Sequence, residues 1–153
     1  MKKFYSVCIL TTLFLCSCVI STSRDDLLKK ETFYTKNIDS NYLKLGKCIK
    51  DQLPLPRSIS YVTPVAAGGI MINVPQSQVL GTEGHDDSEN KIYYINDFTK
   101  IGSNTLKNWL IIVKSTNSKN TKSEIEIKGK KSIWNKPVFS VDYLGEKINN
   151  CIN

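Results

Sequence analysis

Asn108-Trp109-Leu110-Ile111-Ile112-Val113-Lys114-Ser115 and, after a polar interval, Ser123-Glu124-Ile125-Glu126-Ile127-Lys128 are the two runs whose reading decides the fold. The second alternates charged and β-branched residues. Successive strand side chains point to opposite faces, so it reads as a strand with one wet and one buried face. The first is apolar without a break from Trp109 to Val113. Both of its faces must be covered, which places it centrally in a sheet with helix over one side. Residues 116–122 are polar and read as the turn of an antiparallel hairpin joining the two.

Working outward, 91–96 carries Ile92, Tyr93, Tyr94 and Ile95, and 57–63 carries Ile59, Tyr61 and Thr63 at alternate positions. Residues 70–74 form a short apolar run between Gly68-Gly69 and Pro75. The two glycines read either as a hairpin turn, because glycine takes positive φ without steric cost, or as part of a longer loop that begins at Pro64.

Helical spacing flanks these strands on both sides. Tyr42, Leu45, Ile49 and Leu53 recur at three- and four-residue steps over 41–53, with Cys48 beside them. Asp39 or Ser40 is placed to cap this helix, and Pro54 and Pro56 stop it. Gly46 in its interior costs about 1 kcal/mol relative to alanine, for which close packing against another element is a reason. A last helix begins near Ser140 and puts Val141, Leu144, Ile148 and Cys151 on one stripe, weakened by Gly145. The expected fold is therefore α+β: a small antiparallel sheet with an N-terminal and a C-terminal helix packed on one face, forming a single domain over 38–153.

The beginning of the chain is of another kind. Lys2 and Lys3 precede an almost uninterrupted apolar run over 4–15, which closes on Leu15-Cys16-Ser17-Cys18. The run is too short to cross a hydrocarbon core that needs roughly twenty helical residues, and its basic flank and small-residue exit mark a secretion signal. These residues resemble the signal peptide of a bacterial lipoprotein, with Leu15 and Ser17 matching the lipobox and Cys18 at the lipid-accepting position. Cys16 departs mildly from the small residue more usual there. The resemblance covers only this segment and implies cleavage after residue 17, palmitate and diacylglyceryl modification of Cys18, and a protein anchored to a membrane without spanning it. In that family an Asp after the lipidated Cys often signals inner-membrane retention, so by the same resemblance Val19 implies the outer membrane, with the domain facing the periplasm. The helix-sheet-helix remainder also looks, weakly, like small uncharacterised proteobacterial lipoproteins, a resemblance that carries no activity.

Export sets the redox compartment. Cys8 and Cys16 leave with the leader and Cys18 takes the lipid, so Cys48 and Cys151 remain to form one disulfide. Residues 18–37, polar and mixed in charge, read as a tether that lifts the domain off the bilayer, in which Leu27 and Leu28 or Phe33 and Tyr34 dock locally. The formal charge of +7 falls by two when Lys2 and Lys3 are removed, and its lysines are spread along the chain. A cationic surface of this kind faces anionic lipid, peptidoglycan or an acidic partner, and neither composition nor motif points to nucleic acid.

Chemistry-bearing residues are few. Glu83, His85, Asp86, Asp87 and Glu89 fall in a polar stretch, 76–90, that reads as a solvated acidic loop; a weak cation site is the lesser reading, because the spacing does not follow the EF-hand pattern. No nucleophile, base and stabiliser converge in the pattern, and no cofactor is implied. The expected function is a non-catalytic envelope lipoprotein that binds a protein partner or supports an envelope assembly. Tyr61, Tyr93, Tyr94, Trp109 and Trp134 are the candidate anchors, since aromatic side chains dominate interfaces. For Trp134, packing at the core or its rim is the leading expectation. A carrier of a lipid or metabolite, with a pocket between sheet and helices, is the alternative, and a hydrolase the less favoured one.

Overall fold

The computed structural model describes residues 23–67, 70–132, 134, 136, 137 and 139–152, and for 65–67 and 70–75 it describes the backbone. In chain order the elements are α1 (Arg24–Leu28), β1 (Glu31–Ile38), α2 (Tyr42–Asp51), β2 (Arg57–Ala67), β3 (Ile70–Asp87), β4 (Ile92–Ile101), β5 (Asn104–Leu106), β6 (Trp109–Ser115), β7 (Ser123–Gly129) and α3 (Val141–Asn149). The strands form one sheet in the order β1-β7-β6-β4-β3-β2, with β5 paired to β4. Each neighbouring pair is antiparallel. The protein is thus a mixed α+β structure dominated by an antiparallel sheet.

The doubly apolar run is β6, and it lies inside the sheet between β4 and β7. Its alternate side chains enter two different clusters. Trp109, Ile111 and Val113 join Ile95 of β4, Ile125 and Ile127 of β7, Leu45 and Ile49 of α2, and Leu144 and Ile148 of α3. Leu110 and Ile112 meet Leu27 of α1 instead, with Leu28, Ile92 and Tyr94 packed around them. Each such aliphatic side chain contributes about 1.5–3 kcal/mol on burial.

The polar reading of 18–37 as a tether is overturned from Arg24 onward. Ser23 caps α1 through a reciprocal pair: its Oγ accepts from the Asp26 N–H at 3.1 Å, and Asp26 Oδ2 accepts from the Ser23 N–H at 2.9 Å. Leu27 is wholly buried. β1 pairs with β7 from Glu31 opposite Gly129 to Ile38 opposite Ser123, with an irregularity between Thr32 and Tyr34. Strand β7 would otherwise present a free edge, and pairing that edge is the physical reason a polar segment is ordered here. The folded unit therefore includes 24–38, which composition alone assigns to a linker. The leader and Cys18 lie outside the described residues.

Residues 76–87 are also strand, not loop. β3 pairs with β4 from Gln78 opposite Ile101 to Asp87 opposite Ile92, so backbone bonds hold a segment whose side chains are mostly polar. Its glycines admit neighbours: a Cβ on Gly81 would stand 2.5 Å from Pro56 Cα, and one on Gly84 would stand 2.5 Å from the Tyr93 hydroxyl. On its other side the same tyrosine presses on Gly46 of α2, where a Cβ would lie 2.5 Å from Cδ1. Tyr93 thus fills a slot between a helix glycine and a strand glycine. The register of β2 and β3 runs on to Ala67 opposite Ile70, which makes 64–67 strand; Gly68 and Gly69 lie outside the described residues.

Both longer helices start as polar caps require. Asn41, not Asp39 or Ser40, caps α2, its Oδ1 accepting from the N–H groups of Leu43 and Lys44 at 3.0 and 3.1 Å. Ser140 caps α3 by accepting from the Tyr143 N–H at 3.1 Å. Cys48 of α2 is bonded to Cys151, just past α3, with Cα atoms 5.8 Å apart and a sequence separation of 103. Among the described residues no helix is long and apolar enough to cross a membrane.

Two stability measurements check these contacts. Reducing the Cys48–Cys151 bond is expected to lower the unfolding free energy by roughly 2–4 kcal/mol, read as a fall in urea midpoint with dithiothreitol present. Alanine at the two helix glycines should act in opposite directions. Gly46→Ala drives a methyl into Tyr93 and costs about 1–3 kcal/mol of overpacking against at most ~1 kcal/mol of helix propensity. Gly145 has no atom within 4 Å of the corresponding position; Gly145→Ala should therefore raise stability by about 0.5–1 kcal/mol.

Candidate functional site

A jog in the sheet builds an apolar concavity. β6 covers the edge of β4 from Ile92 to Asn96, and β5 covers the same strand at Thr99 to Ile101. Between them the chain passes through Lys107 and Asn108. Asp97 of β4 holds the chain where it enters β6: Oδ1 accepts from the Asn108 and Trp109 N–H groups at 2.7 and 3.0 Å, and Oδ2 accepts from Asn108 Nδ2 at 2.8 Å. Bonds to an ionised acceptor are the stronger kind, so this carboxylate fixes where Trp109 enters the sheet.

Trp109 borders a pocket of about 220 Å³ together with Phe98, Leu80, Leu53, Phe139 and Tyr143. It opens beside the N-terminus of α3, where Tyr143 is 41% exposed. Thr82, also on its wall, is turned to structural use, with its hydroxyl and N–H both donating to the Pro54 carbonyl at 2.8 and 3.2 Å. That bond holds the 53–56 segment against β3, and Leu55 within it is 73% exposed. Asp97 and Thr82 are thus committed to holding the walls, and the aromatic and aliphatic lining suits the site to seating an apolar group.

The five aromatic residues singled out from sequence do not converge. Tyr93 and Trp109 are buried, Tyr93 in its glycine slot and Trp109 at the pocket wall. Tyr94 is half-buried under the Arg24 guanidinium, 4.7 Å from its ring centroid. Tyr61 and Trp134 are exposed, Trp134 at 78%, which corrects the expectation of core or rim packing. Phe98, Phe139 and Tyr143 were not legible as site residues. The one local signal was Tyr143, an aromatic beside the apolar stripe of α3 instead of on it.

The acidic residues of β3 are dispersed by strand geometry. Asp86 accepts from the Tyr42 hydroxyl at 3.3 Å, while Asp87 accepts from the Asn90 N–H and Nδ2 and closes the β3–β4 turn. Burial pushes the Glu83 carboxyl up, but hydrogen bonds from Lys107 and Asn96 outweigh it and hold the pKa below the ordinary carboxylate value. Among the described residues no group of three or more His, Cys, Asp or Glu is placed to hold a metal ion. Comparison with protein-family models, with curated proteins and with solved structures finds no match to this chain.

Replacing the clamp should open the site. Asp97→Ala strands two backbone donors and is expected to cost roughly 2–3 kcal/mol, with Asp97→Asn recovering part of it. Urea unfolding followed by tryptophan emission checks both, and the alanine variant should also shift native emission to longer wavelength as Trp109 gains water.

Proposed function

We propose that this chain is a lipid-anchored, non-catalytic envelope protein, held through Cys18 to the outer membrane and facing the periplasm, whose domain binds a protein partner. The observation that carries the reading is the apolar pocket beside Trp109, lined by exposed Tyr143 and by Pro54, whose chain neighbour Leu55 is exposed. Partner anchors are typically apolar or aromatic side chains that enter such pockets, ringed by contacts that exclude water. In this reading α2 and α3, stapled by Cys48 and Cys151, lie together on one face of the sheet and leave the pocket at the end of that helical layer. The leader supports the membrane half of the proposal through Leu15, Ser17 and Cys18.

At this pocket the competing carrier reading is weakened by size. A volume of about 220 Å³ falls under the ~300–1,000 Å³ that small-molecule pockets usually offer. It suits one bulky side chain better than an entire lipid or metabolite.

A photo-crosslinking amino acid at Tyr143, in protein expressed in a bacterial envelope, is expected to give one discrete protein adduct. Leu55→Glu should reduce that adduct by about tenfold or more, the loss of one hot-spot contact. Capture of no protein, with a stoichiometric small molecule released in native mass spectrometry, would hand the site to the carrier. Separately, Cys18→Ser should abolish palmitate labelling and membrane fractionation.

A further inference from the structure

The pairing of β1 with β7 sets Glu31 opposite Gly129. Just beyond that pair, Lys29-Lys30 on one strand's approach and Lys130-Lys131 on the other's exit are brought to the same end of the sheet. All four lysines line one concavity of about 470 Å³, with Glu31 as the acid among its lining residues. The chain then turns back on itself: Lys131 bridges antiparallel to Pro137, and the Ser132 N–H donates to the Lys136 carbonyl at 2.7 Å. Trp134 stands on this turn, its N–H donating to Ser132 Oγ at 3.3 Å and its side chain left 78% exposed.

Four ammonium groups around one hollow repel one another, and the local acids do little to offset this. Glu31 pairs with Lys131, which also lies 6.0 Å from the Phe33 ring centroid. Asp26, on the turn before the first lysine pair, has its Oδ2 engaged by the Ser23 N–H and Oγ at 2.9 and 2.8 Å. Lys29 and Lys30 are exposed, so the excess positive charge faces outward. A compact soluble anion would meet the lysines but leave the indole of Trp134 in water. A bilayer surface with anionic headgroups meets both. Each lysine near such a surface strengthens binding about fivefold, and tryptophan settles at headgroup level because its ring is apolar while its N–H seeks water. Reach agrees with this choice. Cys18 precedes Ser23 by five positions, which span at most about 18 Å, and α1 adds about 8 Å before Lys29.

We propose that Lys29, Lys30, Lys130, Lys131 and Trp134 form a second membrane contact, seated on the anionic headgroups of the same leaflet that holds the lipid on Cys18. This rests on the anchoring part of the proposed function. Diacylglycerol retains the protein; the lysine patch sets its orientation. Gly129 links the patch to the partner pocket, because it lines the lysine concavity while its bare Cα admits the ring of Phe139, a wall of the pocket. A seated patch therefore holds the pocket at a fixed attitude to the bilayer.

The test uses the processed, lipidated chain in vesicles whose acyl chains are brominated near the headgroup, beside Trp134→Phe, in which Trp109 is the remaining tryptophan. The difference between the two chains is the quenching that belongs to Trp134. With about one third phosphatidylglycerol, that quenching is expected to stand about threefold or more above its value in phosphatidylcholine alone. Lys29→Glu with Lys30→Glu should bring it down to the phosphatidylcholine value at an unchanged melting temperature, and so should molar salt, which shortens the Debye length to roughly 3 Å. If the protein floats with both kinds of vesicle and Trp134 is quenched equally in each, the anchor stands and the patch proposal falls. If the isolated chain carries no lipid yet added phosphatidylglycerol vesicles still quench Trp134 selectively, the patch stands and the anchoring reading falls. Quenching that the double lysine variant leaves untouched overturns the patch proposal. So does a lysine-dependent crosslink from position 134 to an envelope protein without lipid-dependent quenching, which would assign the patch to an acidic partner.

Discussion

The constraint on which this structure depends is that β6 is apolar on both faces and must be covered twice. α2 and α3 place Leu45, Ile49, Leu144 and Ile148 in the same cluster as Trp109, Ile111 and Val113. Leu110 and Ile112 belong to a second cluster with Leu27 of α1, a helix of only five residues. A helix that short has no stability of its own. It persists because Leu27 closes over Leu110 and Ile112 and because Arg24 lies on Tyr94. Further along that face the apolar cover gives way to charge: Lys114 bonds Glu124 and Glu126 at 2.7 and 2.8 Å. The Lys114 hydrogen bond holds the Glu126 pKa below its ordinary value despite partial burial. A depressed carboxyl pKa means that this contribution is in place at neutral pH and is lost as pH falls through the folded value.

The disulfide acts on the layer that the chain has most difficulty closing. α2 precedes the long β2–β3 hairpin, whereas α3 follows the last strand, so their contact closes almost the whole domain. Cross-linking two residues 103 apart removes a large share of the unfolded chain's freedom. Tyr93 works on the same layer by shape. Its ring occupies space freed by Gly46 and Gly84, so helix-sheet distance is set by the absence of two side chains as much as by the presence of one.

Periodicity made the interior legible and left the margins unread. β6, β7, α2 and α3 show in the sequence because burial imposes a repeat of two or of about three and a half on their apolar residues. β1, β5 and the second half of β3 are held mainly by ladder bonds, which any sequence can make, and their polar side chains hide them. The capping box of Ser23 and Asp26 was present as a pattern but stood in a segment whose composition reads as linker. The site was legible only in part for a similar reason. Trp109 stood out as a large aromatic, yet the pocket arises where β4, the 53–56 segment and the start of α3 meet, and no local spacing encodes that meeting. Tyr93 shows the converse: an aromatic that looks available from composition is consumed by packing.

β3 joins the candidate pocket to a stretch without charge. Its first half, paired with β2, forms an arm free of Asp, Glu, Lys and Arg, Leu80 to Thr82 line the pocket, and Glu83 begins the charged portion by pairing with Lys107. The register with β2 has no break between Arg57 and Ala67, and the Thr82 bonds to Pro54 tie the root of the arm to the segment that carries Leu55. A bend between arm and pocket would have to break that ladder or those bonds, each worth about 0.5–1.5 kcal/mol net. Arm and pocket are therefore parts of one lever. Whatever direction the uncharged end takes is therefore transmitted to the aromatic end, because the ladder and the Thr82 bonds join them.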